Sequence, residues 1–253
     1  MNYYFGLNNS IFSSEIQIPI FKNKEPKSEN IILYKASISN NTWEIEEIKN
    51  NKISSEFFIL KSNDCSNTDI FFLAYPEEIK ELQIHKLTNI NDYTETSPSY
   101  RANLKIILKN GGFSSYQSEY PYSMIKNKGS ILSPVHSIAN TDADSNYIFI
   151  KNIYERPIHK IFNCFLVNIK TKKIEEKFEL KTNFTNFIEL NKKLIKPEIF
   201  LSTKEFLGIP IYASVKNKHV SFEHTHPPHE YILSKDKFTI IQNLKKEINE
   251  ITA

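Results

Sequence analysis

His224, His226, His229 and Glu230 fall within the run His224-Thr225-His226-Pro227-Pro228-His229-Glu230. On an extended chain, side chains two residues apart point the same way, so His224 and His226 would present two imidazoles to one metal ion. Once the paired prolines turn the chain, His229 or Glu230 would supply a third ligand. Imidazole with carboxylate suits a divalent transition metal such as zinc, iron, manganese or nickel, which would polarise a substrate or activate water. The competing reading is a proline-stiffened turn whose histidines bond locally or face solvent.

A second group of chemically capable residues runs from Gly111 to Tyr122. It combines aromatic rings with hydroxyls, an amide and a carboxylate: Tyr116, Gln117, Glu119, Tyr120 and Tyr122. Aromatic faces pack on the apolar face of a sugar ring, while amide and carboxylate groups bond its hydroxyls. Arg101, at the start of the preceding strand, would add a charged contact to an acidic ligand. The segment reads as a loop that binds a carbohydrate or another small polar molecule. A packed loop with its tyrosines partly buried is the alternative.

Weaker signals are also present. Asn140, Asp142, Asp144 and Asn146 alternate like part of a calcium loop, but Ile153 stands where the distal glutamate would be, and such a run also builds an ordinary turn. Ser133 and His136 are close in sequence without an assignable acid. His85, His159 and His219 receive no role.

The spacing His224-x-His226-x-x-x-Glu230, followed by Tyr231-Ile232-Leu233, resembles the first metal-binding motif of cupins. That resemblance implies metal ligation by His224, His226 and Glu230. It covers about ten residues and lacks the motif's bracketing glycines. A longer order of features resembles the sensory rhodopsin transducer family: Tyr154-Glu155-Arg156-Pro157, Phe187-Ile188-Glu189-Leu190, Ile211-Tyr212-Ala213-Ser214-Val215 and His224-Thr225. This second resemblance implies a small β-sandwich that binds partners or small ligands.

Composition removes several classes. Only five glycines occur, Gly6, Gly111, Gly112, Gly129 and Gly208, and they spell no dinucleotide fingerprint, P-loop or serine-hydrolase elbow. The net charge is +3, and lysine pairs alternate with acids, as in Lys172-Lys173 before Glu175-Glu176. This is a solvated pattern that argues against nucleic acid as the main ligand. Cys65 and Cys164 are too far apart for a thiolate motif. The longest dense apolar run, Ile70 to Tyr75, is far shorter than the ~20 residues of a membrane-spanning helix. With no leader expected at Met1 to Phe12, the expected location is cytoplasmic.

Period-two alternation dominates the remainder. It marks Ile16 to Ile20, Leu104 to Leu108, Phe178 to Leu180 and Ile209 to Ala213 as strands with one buried face. Ile31 to Ile38, Glu56 to Leu60, Thr68 to Tyr75, Tyr147 to Ile153, Ile161 to Ile169, Phe187 to Leu190 and His219 to Glu223 complete the expected set. Hairpins are expected from Trp43 to Ile53, turning near Asn50-Asn51, and from Leu166 to Phe178, turning near Lys170 to Lys172. A short helix is expected near Pro76 to Leu82. At the C-terminus Ser234 would cap an amphipathic helix with Phe238, Ile241, Leu244, Ile248 and Ile251 on one face.

The expected fold is therefore mainly β, one or more antiparallel sandwich domains with a C-terminal helix. A boundary near residue 95 would divide it into 1–95 and 96–253. The leading functional expectation is a non-catalytic protein that binds a carbohydrate, another small polar ligand or a protein partner. The alternatives are a metal-dependent enzyme at the histidine cluster, and an assembly protein that forms homo-oligomers through its terminal helix.

Overall fold

The computed structural model describes residues 1–20, 30–49, 56–91, 93–94, 100–126, 129–224 and 232–253. The strands, in chain order, are β1 (Asn2–Tyr3), β2 (Phe12–Pro19), β3 (Ile32–Ser39), β4 (Thr42–Glu47), β5 (Phe57–Leu60), β6 (Ile70–Ala74), β7 (Ala102–Leu108), β8 (Phe113–Ser118) and β9 (Tyr120–Pro121). After a short helix α1 (Tyr122–Ile125) come β10 (Leu132–Pro134), β11 (Ser145–Asn152), β12 (Ile161–Asn168), β13 (Lys173–Lys181), β14 (Phe184–Leu190), β15 (Ile199–Thr203), β16 (Ile209–Lys216) and β17 (His219–His224). Helix α2 (Lys237–Ile251) follows. The fold is mainly β, as the alternation requires, with several antiparallel sheets and one long helix at the end.

The described residues cluster into two compact units. The first is Met1–Lys126 together with Ile153–His159 and Asn183–Thr185; the second is Asn127–Asn152, Lys160–Thr182 and Asn186–Ala253. The boundary expected near residue 95 falls at 95–99, outside the described residues. Strands from before and after that stretch, β2 and β5 with β7 and β8, share one sheet, ordered β5-β2-β7-β8.

In the first unit that sheet pairs Ile16 with both Leu60 and Leu104, and its inner face buries Ile16, Ile18, Phe58, Leu60, Leu104 and Ile106. A second sheet runs β4-β3-β6, and β1 pairs with β9. Strand β6, Ile-Phe-Phe-Leu-Ala, is buried throughout, which explains why it shows a continuous apolar run instead of alternation. The β3–β4 hairpin turns at Asn40 and Asn41, with φ of 49° and 60°. Two consecutive left-handed residues make the tight turn whose twist matches its strands, and Asn tolerates that conformation better than branched residues do. The turn expected at Asn50-Asn51 lies outside the described residues.

Residues 153–159 and 183–185 are bound into the first unit by hydrogen bonds. The Trp43 indole N–H and the Leu87 amide both donate to the Glu155 carbonyl, each at 2.9 Å. Asn183, fully buried with φ of 52°, accepts from the Tyr154 amide at 2.7 Å and donates to the carbonyls of Arg156 and Ile158 at 2.8 and 3.1 Å.

The second unit stacks two four-stranded sheets, β10-β15-β12-β13 and β14-β11-β16-β17, joined in the interior by the hydroxyls of Ser133 on β10 and Tyr212 on β16, 2.7 Å apart. The β12–β13 hairpin turns where expected, with Lys172 left-handed at φ 55°. A second tight turn at Asn217 and Lys218, φ 50° and 65°, joins β16 to β17. On the edge strand β13, Lys173, Glu175, Glu176, Lys177, Glu179 and Lys181 place charge along the unpaired side, which discourages pairing with another chain.

Helix α2 lies on the outer face of the β10-β15-β12-β13 sheet. Ile248, 1% exposed, packs with Leu132, Phe165 and Val167, flanked by Leu244 and Ile251. Phe238, expected on this face, is 60% exposed. At 100° per residue it stands about 80° from Ile248, on the opposite side from Leu244 and Ile251, and so leaves the seam. The helix begins two residues later than expected: Asp236 occupies the cap, and Ser234 Oγ accepts from the Asp236 amide at 3.2 Å. Ile248→Ala should lower the unfolding free energy by about 2–4 kcal/mol in urea titrations, while Phe238→Ala should stay within about 0.5 kcal/mol. Equal effects would mean that the helix is not seated by this seam.

Candidate functional site

Residues 113–118, read from composition as a loop, form strand β8 at the edge of the β5-β2-β7-β8 sheet. Gly111 and Gly112 close the hairpin from β7, and alternation then sorts the side chains. Tyr116 and Ser118 turn inward, opposite Leu104 and Ala102. Phe113, Ser115 and Gln117 turn outward and are exposed, opposite Ile107, Lys105 and Asn103.

Six residues were expected to bind ligand, and the fold divides them. Arg101 donates to the Gln117 side-chain oxygen, and its Nε lies 3.4 Å from Glu119 Oε1. Arg101, Gln117 and Glu119 are thus one connected group at the end of the β7–β8 hairpin, with the Glu119 side chain 21% exposed. Tyr116 and Tyr120 are buried and offer no ring to the surface. Tyr122 begins α1, partly exposed, with the Lys126 ammonium 4.6 Å from its ring centre.

The inward tyrosines feel the same carboxylate. Burial, then the charge of Glu119, holds the Tyr116 hydroxyl above the ordinary phenol range, and Arg101 opposes that rise. Burial likewise raises Tyr4, with Tyr100 and Glu119 adding to the effect. Tyr100 lies 5.8 Å from Tyr93 between ring centres. Glu119 therefore stands between a surface guanidinium and an interior layer of neutral phenols.

No protein-family model, curated protein or solved structure matches this chain. Its chemistry rests on its own residues.

The outer face of β7 and β8 adds groups that composition alone passed over. Phe113 is 61% exposed, and the Lys105 ammonium sits 4.4 Å from its ring centre and 3.1 Å from Glu15 on β2. Period-two counting from Gly112 would have found them, since it pairs Phe113 with Ser115 and Gln117 on one face.

Of the metal candidates, His224 ends β17 opposite Ile211, on the face that carries Phe222. His226, His229 and Glu230 lie outside the described residues. Among the described residues no three His, Cys, Asp or Glu side chains come together to hold a metal ion. The Asn140–Asn146 run is spent on its own turn: Asn146 Oδ1 accepts from the Asn140 amide and from Ser214 Oγ, and Asp144 Oδ2 accepts from the Asn217 amide. Ser133 is buried against Tyr212, and His136 is exposed. No helix among the described residues is long and apolar enough to cross a membrane.

Proposed function

We propose that this protein is a non-catalytic binding protein that recognises a carbohydrate or similar polyhydroxylated molecule on the outer face of β7 and β8. The supporting observation is the sorting of β8, which aligns the exposed Phe113 ring with Ser115 and Gln117 beside Arg101 and Glu119. Phe113 and Gln117 stand ~13 Å apart along β8, so the face suits an oligosaccharide of several rings. Phe113 supplies the apolar platform, while Gln117 and the Arg101–Glu119 pair exchange hydrogen bonds with hydroxyls, which are both donors and acceptors. Because Arg101 already balances Glu119, the end of the site favours a neutral ligand over a strongly charged one.

Glycan-array screening followed by calorimetry tests this reading. Phe113→Ala and Gln117→Ala should each weaken binding by roughly tenfold, in line with the loss of ~1–2 kcal/mol from a stacking or hydrogen-bonding contact. Tyr116→Phe should leave affinity unchanged, because its ring faces the core. An array without a ligand, or a ligand indifferent to Phe113 and Gln117, removes the proposal.

A further inference from the structure

The sandwich of the second unit gathers four chain connections at one end. Residues 169–172 join β12 to β13, 191–198 join β14 to β15, 216–219 join β16 to β17, and 135–144 join β10 to β11. Hydrogen bonds tie them together. The Ile169 amide donates to the Glu198 carbonyl at 3.0 Å, Lys192 Nζ to the Ala143 carbonyl at 3.3 Å, and the Asn217 amide to Asp144 at 2.8 Å.

These connections share a charge. Lys170 and Lys172 occupy the first, with Lys173 opening β13; Lys192, Lys193 and Lys196 occupy the second. Lys216 and Lys218 flank Asn217 on the third. All eight lysines are exposed; the seven within the connections stand against three acids there, Asp142, Asp144 and Glu198, which leaves a net charge of +4. Asp144 is already engaged by the Asn217 amide, and Lys172 has Glu247 of α2 at 3.8 Å. With strands ~4.8 Å apart and sheets ~10 Å apart, the end of such a sandwich is about 15 Å across. That is within two Debye lengths at physiological salt, so the charges act together.

We propose that this end docks on an anionic lipid bilayer. The lysines ride on the tips of turns and form a spread array, which matches a planar surface of headgroups better than a groove or a single small anion. The four connections contain no arginine, tryptophan, tyrosine or phenylalanine, so they lack both the forked phosphate clamp and the stacking platform that nucleic-acid surfaces use. Attachment is electrostatic, without insertion of apolar side chains, and therefore reversible and salt-sensitive.

Co-sedimentation of the full chain with vesicles decides it. Phosphatidylcholine vesicles containing phosphatidylglycerol should bring the protein down at low salt, and pure phosphatidylcholine vesicles should not. About 1 M salt should release it, since the screening length is then near 3 Å. Changing Lys170, Lys193 and Lys216 to Glu should reduce partitioning on the order of a hundredfold, at about fivefold per lysine. The exposed lysines Lys80 and Lys109 of the first unit, changed to Glu, should leave it intact. The proposal is overturned by equal binding to neutral vesicles, by no binding to anionic ones, by a triple variant that binds as before with an unchanged near-ultraviolet circular dichroism spectrum, or by tighter binding to a DNA duplex than to anionic vesicles.

Discussion

Between about pH 10 and 11 the first unit is expected to unfold in a single cooperative step. Six buried acids are affected, five of them in that unit. Burial raises the hydroxyls of Tyr3, Tyr4, Tyr116 and Tyr120 well above the ordinary phenol value, and it pushes the thiols of Cys65 and Cys164 up to about 12. Below about pH 7 all six are protonated in both folded and unfolded chains, so they give stability no pH dependence there. As pH rises past the ordinary thiol value and then the phenol value, the unfolded chain releases protons that the native chain retains, and stability falls. Each group contributes about 1.4 kcal/mol per pH unit above its ordinary value. By about pH 11 the four phenols and the Cys65 thiol of the first unit together remove on the order of 10 kcal/mol, comparable with the whole stability of a typical domain. Tyrosinate absorbance and near-ultraviolet circular dichroism should therefore change together. A smooth tyrosine titration centred near pH 10 with the fold intact would show that these hydroxyls reach solvent.

Asn183→Ala should be the most damaging single polar substitution in the first unit, at about 3–5 kcal/mol. It removes one acceptor and two donors at once and leaves the Tyr154 amide and the carbonyls of Arg156 and Ile158 without their partner. Each lost bond is worth roughly 1 kcal/mol, more where the abandoned group is buried. Alanine must also hold the left-handed backbone that asparagine adopts at φ 52°, about 1–2 kcal/mol. Asn183→Gly should recover that backbone share and nothing else. Urea titration measures both; a loss under about 1 kcal/mol for the alanine variant would mean that water replaces the side chain.

Strands were legible wherever one face is buried and the other wet, as along β2 and β7, because burial then writes itself into every second residue. The β12–β13 hairpin was legible because lysines and a threonine interrupt two apolar runs. The β3–β4 turn was missed because Asn40-Asn41 differs from Asn50-Asn51 only in the register of the flanking strands, which is a long-range property. The loop expected at the ligand segment is a strand for a related reason. A cluster of tyrosines suggests a surface by composition, but once two glycines start a hairpin, strict alternation sends Tyr116 to the core and Phe113 to solvent. Phe238 shows the same effect on a helix, where one position at the rim of an apolar stripe decides between seam and water.

The placement of residues 153–159 and 183–185 in the first unit bears on how the chain is made. A ribosome that has finished residue 126 has delivered strands β1 to β9 of that unit, yet the Glu155 carbonyl that receives Trp43 and the Asn183 side chain are still unsynthesised. At roughly 5–20 residues per second, the 59 residues from 126 to 185 require about 3–12 seconds. During that interval the nascent N-terminal sheets lack their closing hydrogen bonds. Synonymous codons that slow translation between these positions should lengthen this exposed period, and faster ones should shorten it, without changing a single amino acid.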